Sequence, residues 1–551
     1  MHACKGRAAK TERQVMDGRL AVLACVRKGV HNHDRLRQKQ RNCHQRDYRS
    51  SGLGNQRLIS ASRHILHPQT ARLRVIWHYQ VAAPASSATR TRSMDIRKAS
   101  LFLGPAAGAL LGLALAGSGL DSGICWTAGI TLNTAIWWVF ESIPIPAASV
   151  LPFAAFPLSG VLTHQQASAA LGNTVILLLM GAFMLSKAIE KSGIHERFAL
   201  GMIRAVGGHG GGRLVLAFML TSALISMWIS NSATALMLTP MALAVIARSG
   251  DSRLAVPLLL GIAYGASVGG TGTLIGTPPN VIFAGVYEQA TGQEYGFLRW
   301  MQTGLPVVAL AIPVMALWLS RNLRDAKPIE LRSPGTWRKP EIRVMVVFGI
   351  TILAWITRSE PFGGWSGLVG IQTAGDSTVA LAAVVVMFLV PDGEDGRLLD
   401  WKMAGSIPWG MLLLFAGGIC IAAAFTASGL AALIGNALGG LANLPVFVLI
   451  LAICLTVTFL TEITSNTATA TLLMPVLAAA AVGAKIAPEL LMIPAAISAS
   501  CAFMLPVATA PNAIVYATDR LTIAQMAREG FALNLIVAVI VAAVSYFTLD
   551  R

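Results

Sequence analysis

Apolar stretches of about twenty residues recur through residues 99–549, and four of them are interrupted part-way by Ser, Asn, Thr, Gly and Pro. A helical crossing of a bilayer needs about 20 apolar residues. Lipid offers no partner for backbone N–H and C=O groups freed in mid-span, so a break at that depth must be buried in protein or line a wet cavity. Uninterrupted runs lie at 99–118, 124–140, 145–162, 174–190, 302–320, 343–357, 377–391, 408–428 and 532–549. The interrupted ones, 214–246, 254–287, 446–482 and 488–518, fall as one pair in each half. The fold class expected is an all-α polytopic membrane protein.

Charge supports that class and limits the alternatives. Only 13% of the 551 residues are charged, against roughly 25% in soluble globular chains. The net charge of +17 sits almost wholly in residues 1–93, which carry 19 Lys/Arg and four acids. That segment also holds seven of the ten histidines. It has no zinc spacing, no amphipathic period and no apolar core of a secretory signal. It reads as a basic extension, disordered or outside the native product, with a natural start at Met94. A basic arm for nucleic acid or anionic lipid is the alternative; the blander reading fits better, and no nucleic-acid partner is expected. Cys125, Cys420, Cys454 and Cys501 stand singly in apolar runs and read as small buried hydrophobes.

Treating 214–246 and 446–482 as re-entrant hairpins, and 254–287 and 488–518 as complete but broken spans, predicts eleven crossings with the N-terminus cytoplasmic. Of the 24 Lys/Arg after residue 93, all but Arg299, Arg358, Lys485 and Arg551 then fall on the cytoplasmic side, as the positive-inside rule requires. This places a first repeat at 94–320, a cytoplasmic linker at 321–342 and a second repeat at 343–551, in the cell membrane.

The halves match each other. Leu177–Phe183 with Ser192-Gly193 resembles Leu412–Gly418 with Ser428-Gly429. Ser230-Asn231-Ser232-Ala233-Thr234 returns as Ser465-Asn466-Thr467-Ala468-Thr469, and Gly276-Thr277-Pro278-Pro279-Asn280 as Ala508-Thr509-Ala510-Pro511-Asn512. In the topology above, the two copies enter from opposite faces. Inverted repeats of this kind place substrate and ions near the midplane of many secondary transporters.

Ser and Asn at a hairpin tip cap a helix N-terminus while leaving hydroxyl and amide groups for a ligand. Thr followed by Pro starts a helix by the same logic. Four converging N-termini, each carrying roughly half a positive charge, suit a carboxylate or oxyanion without Lys or Arg. Carbonyls freed at the breaks, with the Asn oxygens, suit a hard cation such as Na⁺. The bland alternative is close helix packing by small residues; the doubled set argues against it. Glu462, three residues before Ser465, is read as a hydrogen-bonded strut at the tip, with a proton or cation site and a solvated position as alternatives. Glu141 is read as a solvated interfacial residue.

An integral-membrane enzyme is disfavoured: no His-Glu-x-x-His, paired catalytic carboxylates or Gly-x-Ser-x-Gly stands in a credible membrane context. A channel would more naturally present rings of ligands.

The chain from about 95 to 551 resembles the divalent anion/Na⁺ symporters, which carry dicarboxylates, citrate or sulfate. The resemblance rests on the two Ser-Asn tips, Trp137-Trp138 with Glu141-Ser142-Ile143-Pro144-Ile145, and the stretch Ser500–Val515. It implies a homodimer of the ion-transporter superfamily, each protomer working by an elevator motion. A scaffold of spans one to four and seven to nine would carry a transport domain of hairpins, broken helices and spans six and eleven. One Na⁺ would be held by Ser226, Ser230, Asn231 and Gly276, the other by Thr461, Thr464, Asn466 and Ala508. The anion would meet Asn231, Ser232, Thr277, Asn466, Thr467 and Thr509. Ser232 keeps the hydroxyl of the family's Thr and loses a methyl; Ala510 replaces the first Pro of the second break. Neither change removes a donor. The function expected is Na⁺-coupled import of C4-type dicarboxylates, with sulfate, H⁺-coupled or exchange transport as alternatives.

Overall fold

Proline and glycine decide where the apolar runs bend. The helix Ser122–Phe140 stops where Glu141 turns into the left-handed region at φ 48°, ahead of Pro144. The run 145–162, expected as one span, forms two short helices, Ile145–Ala148 and Leu151–Leu158. Pro152 has no N–H to give the Ala148 carbonyl, so the ladder is cut there. Asn173 then caps Thr174–Ser192 by accepting from the Val175 amide at 2.8 Å. That helix ends at Gly193 (φ 74°), and its counterpart Trp409–Ser428 ends at Gly429 (φ 80°). A shorter helix follows each, Ile194–Val206 and Leu430–Ala437.

The computed structural model describes residues 87–206, 210–249, 251–323, 335–358, 363–371, 373–437 and 445–549, with side chains from residue 96. The first helix, Ser87–Gly117, begins before the boundary expected at 94, so residues 87–93 are helical. The remainder of the basic extension lies outside the described residues. Among the described residues there is no strand. Among the described residues eight helices are long and apolar enough to cross a membrane, and large side chains such as Phe102, Leu317 and Phe547 stand exposed on the outer surface. That surface needs hydrocarbon around it, and the protein is a multi-pass membrane protein.

All four interrupted runs fold as interrupted. The first hairpin is Gly211–Ser226 and Asn231–Ser249; the second is Val446–Thr461 and Asn466–Ala484. The first broken span is Ala255–Gly269 and Pro278–Thr291, joined through a 3₁₀ turn at Gly270–Gly272. The second is Glu489–Ala499 and Ala510–Tyr516. Gly211–Ser226 packs along Ala255–Gly269, while Val446–Thr461 packs on Glu489–Ala499 and on the last helix, Ile523–Thr548. The halves also exchange partners: Pro278–Thr291 lies on Asn466–Ala484, and Ala510–Tyr516 lies on Asn231–Ser249. Each hairpin's return arm is thus supported by the other half's broken span. Elsewhere Thr174–Ser192 packs against Asp376–Leu389, and Trp409–Ser428 against Ser122–Phe140 and His164–Leu171.

Candidate substrate and cation site

The tips are built alike. Ser230 Oγ accepts from the Ala233 amide at 3.3 Å, and Ser465 Oγ from the Ala468 amide at 3.1 Å, each capping the helix that follows. Five residues before each tip asparagine stands a fully buried hydroxyl. Ser226 Oγ donates to Asn231 Oδ1 at 2.7 Å, and Thr461 Oγ1 to Asn466 Oδ1 at 2.9 Å. Asn231, Ser232, Asn466 and Thr467 are only half-buried, so their polar groups remain reachable.

The breaks are braced alike too. Asn280 Nδ2 donates to the carbonyls of Gly270 (3.0 Å) and Thr273 (2.8 Å), ten and seven residues upstream. Asn512 Nδ2 donates to Ala502 and Leu505, both at 3.0 Å and at the same two offsets. Each asparagine supplies donors to carbonyls that the helix ladder abandons. Each also leaves its buried Oδ1 without a donor among the described residues.

The first tip and the first break converge on one point. A Cβ built on Gly270 would stand 2.8 Å from Asn231 Oδ1 and 3.0 Å from the Gly276 carbonyl oxygen. Glycine at 270 therefore leaves two oxygens facing a space that any side chain would fill, with Ser226 Oγ bonded to one of them. An all-oxygen cradle of this kind fits a hard cation. Thr464 is turned elsewhere: its hydroxyl donates to Leu460 O at 2.9 Å and lies 2.6 Å from Thr469 Oγ1. The second half has Ala502 and Ala508 where the first has Gly270 and Gly276.

The two breaks meet across the repeat, where Thr277 Oγ1 lies 3.3 Å from Ser500 Oγ. Thr277 was expected to cap Pro278–Thr291 with its side chain and does not; its hydroxyl is turned to Ser500 instead. Thr509 does cap, accepting from the Asn512 amide at 3.2 Å. The helix after it has only seven residues, so the fourth N-terminus contributes less dipole than the other three. Ser500 and Gly270 were missed by sequence reasoning. Ser500 aligns with Val268 in the repeat, so repetition gave it no partner, and Gly270 lies among several glycines with nothing local to mark it.

Glu462 is buried (4% exposed) and is the strut. Oε1 accepts from the amides of Phe503 (2.7 Å) and Met504 (2.8 Å) and from Asn534 Nδ2 (2.8 Å), and Oε2 accepts from the Leu505 amide at 3.1 Å. It ties the second tip to the second break and to the last helix. Met227 occupies the matching position in the first half, where its carbonyl accepts from Thr273 Oγ1 at 2.6 Å. Glu141 is exposed and pairs with Arg97, as an interfacial residue should. No Lys or Arg lies within residues 226–235, 265–281, 461–470 or 498–513.

Paired hairpin tips and broken spans, set in a helical bundle with a lipid-facing apolar surface, define a membrane transporter rather than an enzyme. A citrate-transporter (CitMHS) family profile matches residues 135–492. A sodium-dependent dicarboxylate transporter SdcS of Staphylococcus saprophyticus is 37% identical over 452 residues, covering 78% of this chain and 86% of that protein. SdcS of Staphylococcus aureus (strain NCTC 8325 / PS 47) is 36% identical, with 77% and 86% covered. Among solved structures, the YdaH transporter of Alcanivorax borkumensis shares the fold at a TM-score of 0.51 and 17% identity, covering 71% of this chain and 87% of that one. The chain belongs to the divalent anion/Na⁺ symporter family.

Proposed function

We propose that the protein imports small dicarboxylates of the C4 type together with Na⁺ across the cell membrane. The observation that carries this is the repeated geometry: a hydroxyl locked to a tip asparagine oxygen, beside a helix break braced by a second asparagine, once in each half. Sodium dependence and dicarboxylate transport are printed in the names of relatives 36–37% identical to this chain, and they agree with a site rich in neutral oxygens and free of cationic side chains.

In this reading Na⁺ is a transported substrate. One ion is held by Ser226, Asn231, Gly276 and the main chain of Ser230, the other by Thr461, Asn466, Ala508 and the main chain of Thr464. The hydroxyls of Ser230 and Thr464 are already engaged at the tips, which leaves their carbonyls. The anion meets Asn231, Ser232, Thr277, Asn466, Thr467 and Thr509, next to the bound cations. Bound Na⁺ offsets the charge of the dicarboxylate in a low-dielectric site, so each improves the binding of the other.

We further propose an elevator motion in a homodimer, with eleven crossings, inverted repeats and a cytoplasmic N-terminus; of these, only the elevator motion draws support from the packing. Hairpins, broken spans, Phe297–Ser320 and Ile523–Thr548 pack mainly on one another, as a moving body would. Citrate is a second reading favoured by the matching family profile.

Uptake into proteoliposomes of labelled succinate, citrate and sulfate, with and without an inward Na⁺ gradient, tests the proposal. Na⁺-stimulated succinate uptake that saturates is expected. Uptake indifferent to Na⁺, or single-channel currents in place of saturable uptake, would overturn it.

A further inference from the structure

We propose that an acyl chain of a bilayer phospholipid occupies a cavity behind the first hairpin tip. This goes beyond the transport reading and rests only on the protein's being embedded in a membrane. The cavity, of about 340 Å³, lies between the first hairpin, the helix Ile194–Val206 and the helix Lys339–Ile356. Phe198, Met202, Leu224, Trp228, Phe348 and Gly349 are among the residues lining it.

The wall is dry. Its polar side chains are His195, Thr221 and Trp228. Thr221 Oγ1 is spent on the Ala217 carbonyl at 2.7 Å, and His195 Nδ1 lies 3.3 Å from the Ile189 carbonyl. A buried water needs two to four polar partners, and an apolar cavity of roughly 150 Å³ already stays dry and takes up hydrocarbon. A larger space with so few polar atoms has no stable aqueous filling.

The mouth points to the occupant. Phe198 (52% exposed) and Leu224 (41%) line the cavity and also reach the surface. On Lys339–Ile356, the residues Ile342, Val346, Ile350 and Leu353 form an exposed apolar stripe at helical spacing. It runs beside the lining positions Met345, Phe348 and Ile352 of the same helix. In a multi-pass membrane protein such a stripe is suited to lipid, and the medium at the mouth is taken to be hydrocarbon. A chain entering there would lie against Trp228 and Ile229, which immediately precede Ser230 and Asn231, and would fill the space into which the tip could otherwise collapse.

The test uses the emission of Trp228, taken as the difference between the full-length protein and Trp228→Phe, in liposomes of phospholipid brominated along its acyl chains. Gly349 lines the cavity and a Cβ built on it meets no atom within 4 Å, so Gly349→Ala is a small filler and Gly349→Leu a larger one that starts from open space. We expect bromine to quench Trp228 and acrylamide added to the water not to, with much of the bromine quenching lost in Gly349→Leu and part of it lost in Gly349→Ala. Quenching by acrylamide but not by bromine would show a wet cavity and overturn the proposal. So would bromine quenching that neither filler reduces, because Trp228 would then be sensing bulk lipid. Neither result bears on Na⁺-stimulated uptake, so failure here is distinct from failure of the transport reading.

Discussion

Ser226 and Asn231, five residues apart across the first hairpin tip, are joined by a hydrogen bond of 2.7 Å from the buried hydroxyl to Oδ1. The bond fixes the direction of an amide oxygen that would otherwise rotate, and pre-orientation of this kind lowers the cost of capturing an ion. Thr461 and Asn466 repeat it at 2.9 Å.

Ser226→Ala removes one oxygen and releases the other. The Na⁺ concentration for half-maximal uptake is expected to rise about tenfold, the equivalent of roughly 1.4 kcal/mol, with the maximal rate at saturating Na⁺ largely kept. Asn231→Ala and Asn466→Ala should each abolish uptake in folded protein. A Na⁺ titration of uptake measures all three, and an unchanged half-saturation in Ser226→Ala would remove that residue from the ion site.

The two halves should respond differently to a methyl group at the break. Gly270→Ala drives a Cβ to within 2.8 Å of Asn231 Oδ1, and either the tip or the break must move. We expect loss of Na⁺-stimulated uptake and loss of the rise in melting temperature that Na⁺ gives by binding the folded state. Ala502→Gly, at the matching position, removes a buried methyl, frees the backbone and introduces no atom that presses on the tip, so it keeps both responses.

Glu462→Gln places an amide NH₂ group among donors, since both carboxylate oxygens accept from N–H groups. One of those contacts becomes donor against donor, with an expected loss of roughly 1–3 kcal/mol. The melting temperature in detergent should fall, and uptake should fall with it. A strut of this kind predicts no new pH dependence of uptake in the variant, whereas a proton-coupling role would abolish an existing one.

Glu341 lies in the first turn of Lys339–Ile356, ahead of the 343–357 run, and is 3% exposed. Its carboxylate receives Arg197 Nε and Arg338 Nε, both at 3.0 Å, and the Arg338 amide at 2.8 Å. Burial pushes this carboxyl up, and the Arg338 amide, the Arg338 guanidinium and the Arg197 guanidinium together outweigh it, holding the group below the usual glutamate range. A folded value below the unfolded one contributes stability above the unfolded range and loses it as pH falls through the folded value. Glu341→Gln should therefore lower the melting temperature at neutral pH, with the gap from the parent protein closing under acid conditions. A gap constant with pH would show that the ion pairs contribute nothing.

The four interruptions were legible because each is a short-range pattern. Ser-Asn at a helix start and Thr ahead of Pro obey local capping and backbone rules, and bilayer thickness sets the run lengths around them. The run 145–162 is broken for the same kind of reason, since Pro152 cuts the ladder inside a run whose hydropathy alone looked continuous.

By itself the amino-acid order determined the membrane class, the hairpins and broken spans, and the repetition that pairs Asn231 with Asn466 and Asn280 with Asn512. These follow from side-chain chemistry within a few residues and from lipid's inability to bond backbone. Only the tertiary structure decided which atoms meet. It put Asn231 Oδ1 and the Gly276 carbonyl around Gly270, turned Thr277 to Ser500, and closed Glu462 on the amides of Phe503, Met504 and Leu505. Those contacts span up to 223 residues or hinge on the absence of a single Cβ, and they arise when each hairpin arm packs against the other half's broken span. No local propensity encodes that exchange.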